Sequence, residues 1–354
     1  MTEVLARLQI LAVAAAFAGL ICWGLLLLLR PWLARHVAAI PNPRSSHYKP
    51  TPQGGGIAVA FATFVVIWTS FALIPALQEH RAQLVTVTAA AVLLCVIGAI
   101  DDMRSLPAIP RLLVQLVAAG IVVASLPREL HVIPLLPSWI ERVALFVGVV
   151  GFVNLVNFMD GIDWMTVAET VPITGAVIVL GLAGANEILP TLAAAALFGA
   201  VLGFAPFNKP VAKLFLGDAG SLPIGLVLAW LLILLAGAGH LAAAALLPLY
   251  YLADTMITMA RRIAKGERIW EASRCHFYQL ATDRGFSVPA VIAVVSATNV
   301  ALAALAVLTV LIHHPLVSAG ALVCGAGVVS WTLRAFVRGR HGTDIPRSAR
   351  EHEA

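Results

Sequence analysis

The chain has 354 residues, 60% of them hydrophobic and only 12% charged, with a net charge of +5 and a mean hydropathy of +0.94. Such a composition excludes a soluble globular domain and predicts an all-α, polytopic membrane protein. The positive charge is not the signature of a nucleic-acid partner, because the basic residues sort to one face of a membrane.

An apolar stretch of about 17–25 residues spans a bilayer as a helix. Eleven such stretches are expected, at 8–29, 55–77, 83–100, 111–126, 139–156, 170–184, 188–205, 220–238, 241–258, 288–312 and 316–335, the fourth to sixth being short. The first is longer than a signal-peptide core and is followed by Arg30-Pro31-Trp32 at its end, so it reads as an uncleaved anchor. Residues 1–335 form one membrane domain and 336–354 a polar tail; 259–287 is the only long segment outside the bilayer. Cys22, Cys95 and Cys324 fall within spans and Cys275 in a loop, which gives neither a disulfide framework nor a metal-binding spacing.

With eleven spans, assigning the loop after the first to the cytoplasm places 19 of the 23 Lys and Arg residues on that side. That is the asymmetry of the positive-inside rule. The same side receives Asp101, Asp102, Asp160, Asp163 and Asp218, five of only 18 acidic residues. Carboxylates beside apolar spans are costly and point to function. Several together, with Gly and Asn nearby, suit a divalent cation handling phosphates.

In chain order, the first polar loop is Pro41-Asn-Pro-Arg-Ser-Ser-His-Tyr-Lys-Pro-Thr-Pro-Gln-Gly-Gly-Gly56. Its prolines stiffen the backbone, and glycines opening the next helix let N–H groups approach an anion. Arg44, His47 and Lys49 add positive charge; a basic loop touching anionic lipid is the competing reading. Asp101-Asp102 repel one another unless a cation, Arg104 or Arg111 compensates. Asn154, Asn157, Asp160 and Asp163 recur every third residue, one face if helical, with Gly161 expected to break the helix near its end and leave the last two as loop ligands. A polar helix–helix seam is the alternative for these four. Asp218 lies between glycines in Phe215-Leu-Gly-Asp-Ala-Gly-Ser221, where Ser221 suits a phosphate contact or a helix N-cap. Arg274-Cys-His-Phe-Tyr-Gln279 follows a basic stretch in the longest loop. Asp254 reads as a partner for Arg261 or Arg262.

Together, PNPRSSHxKPTPxGGG, the Asp pair, NxxNFMDGID, FLGDAGS and HxYQ, in this order over residues 41–279, resemble the polyprenyl-phosphate N-acetylhexosamine-1-phosphate transferases of glycosyl transferase family 4. The nearest branch is the one that initiates O-antigen and related surface glycans. The resemblance implies transfer of a sugar 1-phosphate from a UDP-N-acetylhexosamine to undecaprenyl phosphate with release of UMP, on the cytoplasmic face of the bacterial inner membrane. It implies Mg²⁺, with Mn²⁺ as a substitute, and allows a homodimer. Carried over by motif, Asp218 is the metal ligand, and Asp101, Asp102 and Asp160 are catalytic. Asn154, Asn157, Asp163, Asn208, His47, Lys49, Arg274 and His276 bind substrates. Three residues depart from the family's pattern. Gln53 stands where a basic residue is common, Trp164 where glycine usually follows DGID, and Ser273 and Cys275 where His and Ser are frequent.

Two other readings compete. The phospho-MurNAc-pentapeptide transferases of peptidoglycan synthesis carry a His-rich loop in place of HxYQ. A proton- or Na⁺-coupled transporter would place its acids near the bilayer midplane, often in repeated halves, whereas here they sit at span ends and no repeat is visible.

Overall fold

The structure, a computed structural model, describes residues 2–39, 50–267 and 274–339. Its helices are α1 Thr2–His36, α2 Gly56–Leu73, α3 Arg81–Arg104, α4 Ala108–Ser125, α5 Ser138–Met159, α6 Met165–Leu182, α7 Ile188–Phe204, α8 Asp218–Gly237, α9 Leu241–Leu246, α10 Leu249–Ala264, α11 Phe277–Asp283, α12 Val288–Ile312 and α13 Pro315–Arg338. Two-residue strands, Ala38–Ala39 and Thr51–Pro52, pair antiparallel across the base of the first loop. The protein is all-α and polytopic, as lipid requires: a backbone in hydrocarbon must satisfy its own hydrogen bonds, and a helix does so within one segment.

Each of the eleven expected spans contains helix, but among the described residues nine helices are long and apolar enough to cross a membrane. Of the other two, α7 has 17 residues. The span expected over 241–258 is broken between Leu246 and Leu249, where Pro248 lacks a backbone N–H and α10 restarts after it. The short spans are also longer than hydropathy suggested. α5 runs on to Met159 and α6 starts at Met165, so the polar residues Asn157 and Thr166 are helical. α13 continues to Arg338, three residues into the expected tail.

α8 is the hub. It is apolar on every side, nearly all of it is buried, and α2, α3, α5 and α9 pack around it. Close approach depends on glycine. A Cβ at Gly98 on α3 would lie 2.3 Å from Asp218 O, and one at Gly56 on α2 would lie 2.0 Å from Gly220 Cα. Thus α2 and α3 both reach the first turn of α8 backbone to backbone.

The polar connections meet at that end of the bundle. Gln53 donates to Asp102 O (2.6 Å), Phe215 N to Pro52 O (2.8 Å), and Trp164 N to Asn208 Oδ1 (2.7 Å). Tyr278 Oη donates to Phe158 O (3.2 Å). Five separate loops therefore form one polar surface, as the distribution of charge predicted.

Candidate active site

The site is organised on the start of α8. Gly217 precedes it at φ +75°, a conformation that favours glycine, and a Cβ there would meet the Asp102 carboxylate at 2.3 Å. Asp102 Oδ1 accepts from Asp218 N (2.9 Å) and its Oδ2 from Ala219 N (3.2 Å). A carboxylate from the end of α3 thus caps α8 and complements its positive end. Ser221 is not the cap. It lies inside α8, and its Oγ accepts from Asn157 Nδ2 at 2.9 Å.

Asp218 is gripped from two sides. Asn157 Nδ2 donates to Oδ1 (2.8 Å) and Arg111 Nη1 to Oδ2 (2.9 Å). The same guanidinium nitrogen donates to Asp101 Oδ2 at 2.7 Å, while Asp101 Oδ1 accepts from Leu106 N at 2.5 Å. Asp101, Asp218, Asn157 and Arg111, from four helices, therefore form one part-buried knot. The sequence reading weighed Arg111 only as a charge partner for the Asp pair; that pairing holds for Asp101, and Arg111 also reaches Asp218 across 107 residues.

Asp160 follows α5 and accepts from Thr166 Oγ1 at 2.5 Å. Burial pushes its carboxyl up to about 8, and the carboxylates of Asp218, Asp102 and Asp163 push the same way against the Thr166 hydrogen bond. Asp163 is buried and accepts from Ala212 N (2.9 Å). Asn208 is buried too; it accepts from Trp164 N and donates to Leu214 O (3.1 Å). These two side chains tie the α5–α6 turn to the segment leading into α8.

Trp164 adopts φ +64°, the conformation for which glycine is the ordinary choice. A non-glycine residue there stores about 1–3 kcal/mol of strain. Its backbone bond to Asn208 and its indole N–H bond to Ala205 O (2.7 Å) hold it in place.

Several expected ligands sit elsewhere. Asn154 Nδ2 donates to Gln115 Oε1 (2.7 Å) on α4, in a polar seam one turn away from the knot. The N–H groups of Gly55 and Gly56, expected to face an anion, donate to Phe215 O (3.0 Å) and Leu216 O (2.9 Å). His47 and Lys49 lie outside the described residues. Arg274 pairs with Asp283 (3.6 Å). His276 is buried at the start of α11, held by Asp254 rather than placed in the knot. Asp254 does not pair with Arg261 or Arg262 as expected; it is wholly buried against the His276–Tyr278 turn.

Among the described residues no three His, Cys, Asp or Glu side chains form a ready-made cation cage. The hard oxygens of Asp101 and Asp218 nonetheless converge on a single positively charged nitrogen. That donor set suits Mg²⁺, which is commonly bound by one or two carboxylates plus substrate phosphates.

The glycosyl transferase family 4 model matches residues 84–236, which carry Asp101 to Asp218 and the helices that place them. Over these residues the chain is similar to glycosyl transferase family 4. Its relatives include a probable undecaprenyl-phosphate N-acetylglucosaminyl 1-phosphate transferase of Bacillus subtilis, 26% identical over 257 residues and 70% of each chain. A decaprenyl-phosphate N-acetylglucosaminephosphotransferase of Mycobacterium leprae is 28% identical over 70% of this chain and 71% of its own. A phospho-N-acetylmuramoyl-pentapeptide-transferase of Limosilactobacillus reuteri is 30% identical over 40% of this chain and 45% of its own. The relatives it matches are sugar-phosphate transferases by name, and the knot around Asp218 lies wholly within the matched region.

Proposed function

We propose that the protein transfers an N-acetylhexosamine 1-phosphate from a UDP-sugar to undecaprenyl phosphate and so begins a cell-surface glycan of the O-antigen kind. The observation that carries this reading is the convergence of Asp101, Asp218, Asn157 and Arg111 on one point at the helix ends. The N-acetylglucosamine relatives align over 70% of this chain and the pentapeptide transferase over 40%, which favours UDP-GlcNAc as the first donor to test.

Two anions must meet in this reaction. An oxygen of the lipid phosphate attacks the β-phosphorus of the donor. The bond from that phosphorus to the bridging oxygen breaks, and UMP leaves with the electron pair. A phosphate monoester has a second pKa of about 6 and is largely ionised near neutrality, so a strong base is unnecessary. Asp101 orients the attacking oxygen. Asp102 fixes the first turn of α8 and so the direction of Asp218. Asn157 holds Asp218 from the opposite side, and Arg111 keeps the two carboxylates facing one another. Mg²⁺ on Asp218, or Mn²⁺ in its place, would supply charge neutralisation at the diphosphate. A covalent aspartyl-phosphate intermediate is the alternative to direct displacement. Asp163 and Asn208 would lie towards the nucleoside end of the donor, with Trp164 shaping that side. His47, Lys49, Arg274 and His276 would contact the phosphates or the sugar. The basic bias of this end makes it cytoplasmic, in a bacterial inner membrane.

The test is transfer of label from a panel of UDP-N-acetylhexosamines to undecaprenyl phosphate by the purified protein, with Mg²⁺ or with EDTA. Lipid product and UMP formed only with Mg²⁺ are expected. No product from any donor, with the protein demonstrably folded, would overturn the reading. Asp218→Asn should lower turnover by at least about 100-fold and abolish the response to Mg²⁺; near-normal turnover in that variant would refute the metal assignment.

A further inference from the structure

The best-satisfied carboxylate at this end of the molecule is not in the knot. Asp254 on α10 is 0% exposed and receives five hydrogen bonds. Its Oδ1 accepts from Phe277 N (3.1 Å) and Thr258 Oγ1 (3.3 Å) and faces His276 Nδ1 (3.0 Å). Its Oδ2 accepts from Tyr278 N (3.3 Å) and Tyr250 Oη (3.4 Å). A buried carboxylate surrounded by donors is acceptor-only when ionised. The His276 nitrogen facing it must then carry the proton, which leaves Nε2 for another partner.

The same contacts fix a helix. His276 is the N-cap of α11, and Asp254 reaches in from α10 to take the N–H groups of the next two residues. α11 is pressed in turn onto the α5–α6 loop. Tyr278 Oη donates to Phe158 O, two residues before Asp160, and a Cβ at Gly161 would lie 2.1 Å from Tyr278 Oη. Burial holds the Tyr278 phenol well above its ordinary pKa, so it remains a donor. Asp254, His276, Tyr278 and the Asp160 loop are therefore one mechanical unit, although Asp254 lies 22 residues before His276.

We propose that Asp254 is a positioning residue, which holds His276 with Nδ1 protonated and Nε2 presented to the substrate phosphates and locks α11 against the Asp160 loop. It touches no substrate itself. The arrangement parallels buried groups that orient a metal-bound histidine through its other ring nitrogen, whose loss typically costs about 10–100-fold in affinity or activity. The presentation of Nε2 to phosphates rests on the transferase reading above; the grip on Nδ1 does not.

Two measurements test it. The first uses no substrate: the ¹⁵N-histidine spectrum of the full chain in lipid nanodiscs, with the His276 signals identified by their loss in His276→Gln. A protonated Nδ1 in the wild type, becoming a tautomer mixture in Asp254→Asn, is expected. An unprotonated Nδ1 in the wild type overturns the proposal whether or not the protein turns over. The second is a double-mutant cycle on sugar-phosphate transfer. Asp254→Asn should lower kcat about 10–100-fold, and adding Asp254→Asn to His276→Gln should cost far less than Asp254→Asn costs the wild type. Losses that multiply in the double variant mean that Asp254 does not act through His276, and the proposal falls. Absence of transfer by the wild type from every donor counts against the transferase reading alone, since the spectrum still decides the grip.

Discussion

Asp102, Asp160 and Asp218 share one side chain and differ in what surrounds it. Asp102 has both oxygens on the N–H groups of α8 and positions its neighbour; Asp218 is held between an amide and a guanidinium. Asp160 accepts from the Thr166 hydroxyl and has a carboxyl pushed up to about 8 by burial. Because its folded pKa exceeds the unfolded value of about 4, the folded state binds a proton that the unfolded chain releases between those pH values. The resulting stabilisation is complete below about pH 4 and is lost as pH rises through about 8. Asp160→Asn imitates the protonated form, so in metal-free detergent its Tm should equal the wild type's below about pH 4, exceed it increasingly as pH rises to about 8, and keep a constant lead above that. A Tm difference that does not change with pH would show that Asp160 is not held protonated. The spacing of Asn154, Asn157, Asp160 and Asp163 was legible in the sequence, but not their division. Asn154 faces Gln115 because the α4–α5 seam runs along that turn of the helix, and Asp163 turns inward to Ala212.

At the scale of elements, the site depends on how closely α3 approaches α8. Gly98 permits the contact that brings Asp102 onto the first turn of α8. Gly98→Ala should cost about 1–3 kcal/mol through overpacking and lower turnover as well, because α8 must shift and Asp218 with it. Gly148→Ala, where a Cβ meets nothing within 4 Å, is the matched control and should change neither. Tm and kcat measured on both variants decide this, and equal behaviour of the two would remove the argument. Hydropathy located the helices well, yet misjudged those at the site. α5 and α6 extend past their apolar cores because tertiary hydrogen bonds to Asn157 and Thr166 satisfy polar side chains on their last and first turns. The break at Pro248 was legible as a proline, but only the structure shows α10 restarting so as to bring Asp254 under α11.

At the scale of the molecule, α12 is fastened to the bundle by a polar contact inside the membrane domain. Glu169 on α6, buried, accepts from Asn299 Nδ2 on α12 at 2.6 Å, and the same amide donates to Ala168 O at 3.0 Å. In the sequence Glu169 is a lone acid near the start of α6, with no motif around it to mark it. Asn299→Leu strands that carboxyl and should cost about 1–3 kcal/mol, while adding Glu169→Met should recover much of the loss by removing the unpaired group. Thermal unfolding in detergent checks both steps. A double variant no more stable than Asn299→Leu would mean that the pair does not act as a unit.

Composition alone determined that this chain is a multi-span helical membrane protein, because hydrocarbon admits no other backbone for such segments. The asymmetry of Lys and Arg placed five loops on one side, and the ordered motifs named the family from which the chemistry is read. The tertiary structure decided which of those polar residues meet. The reach of Arg111 to Asp218 and of Asp254 to His276 was invisible because each crosses a distance in sequence, 107 residues and 22, that no local pattern encodes. Asn154, Gly55 and Gly56 looked like ligands and were not placed as such, since a polar group in a packed bundle takes the nearest complementary partner. In a chain so apolar, which partner is nearest is settled by the packing of α2, α3 and α5 on α8.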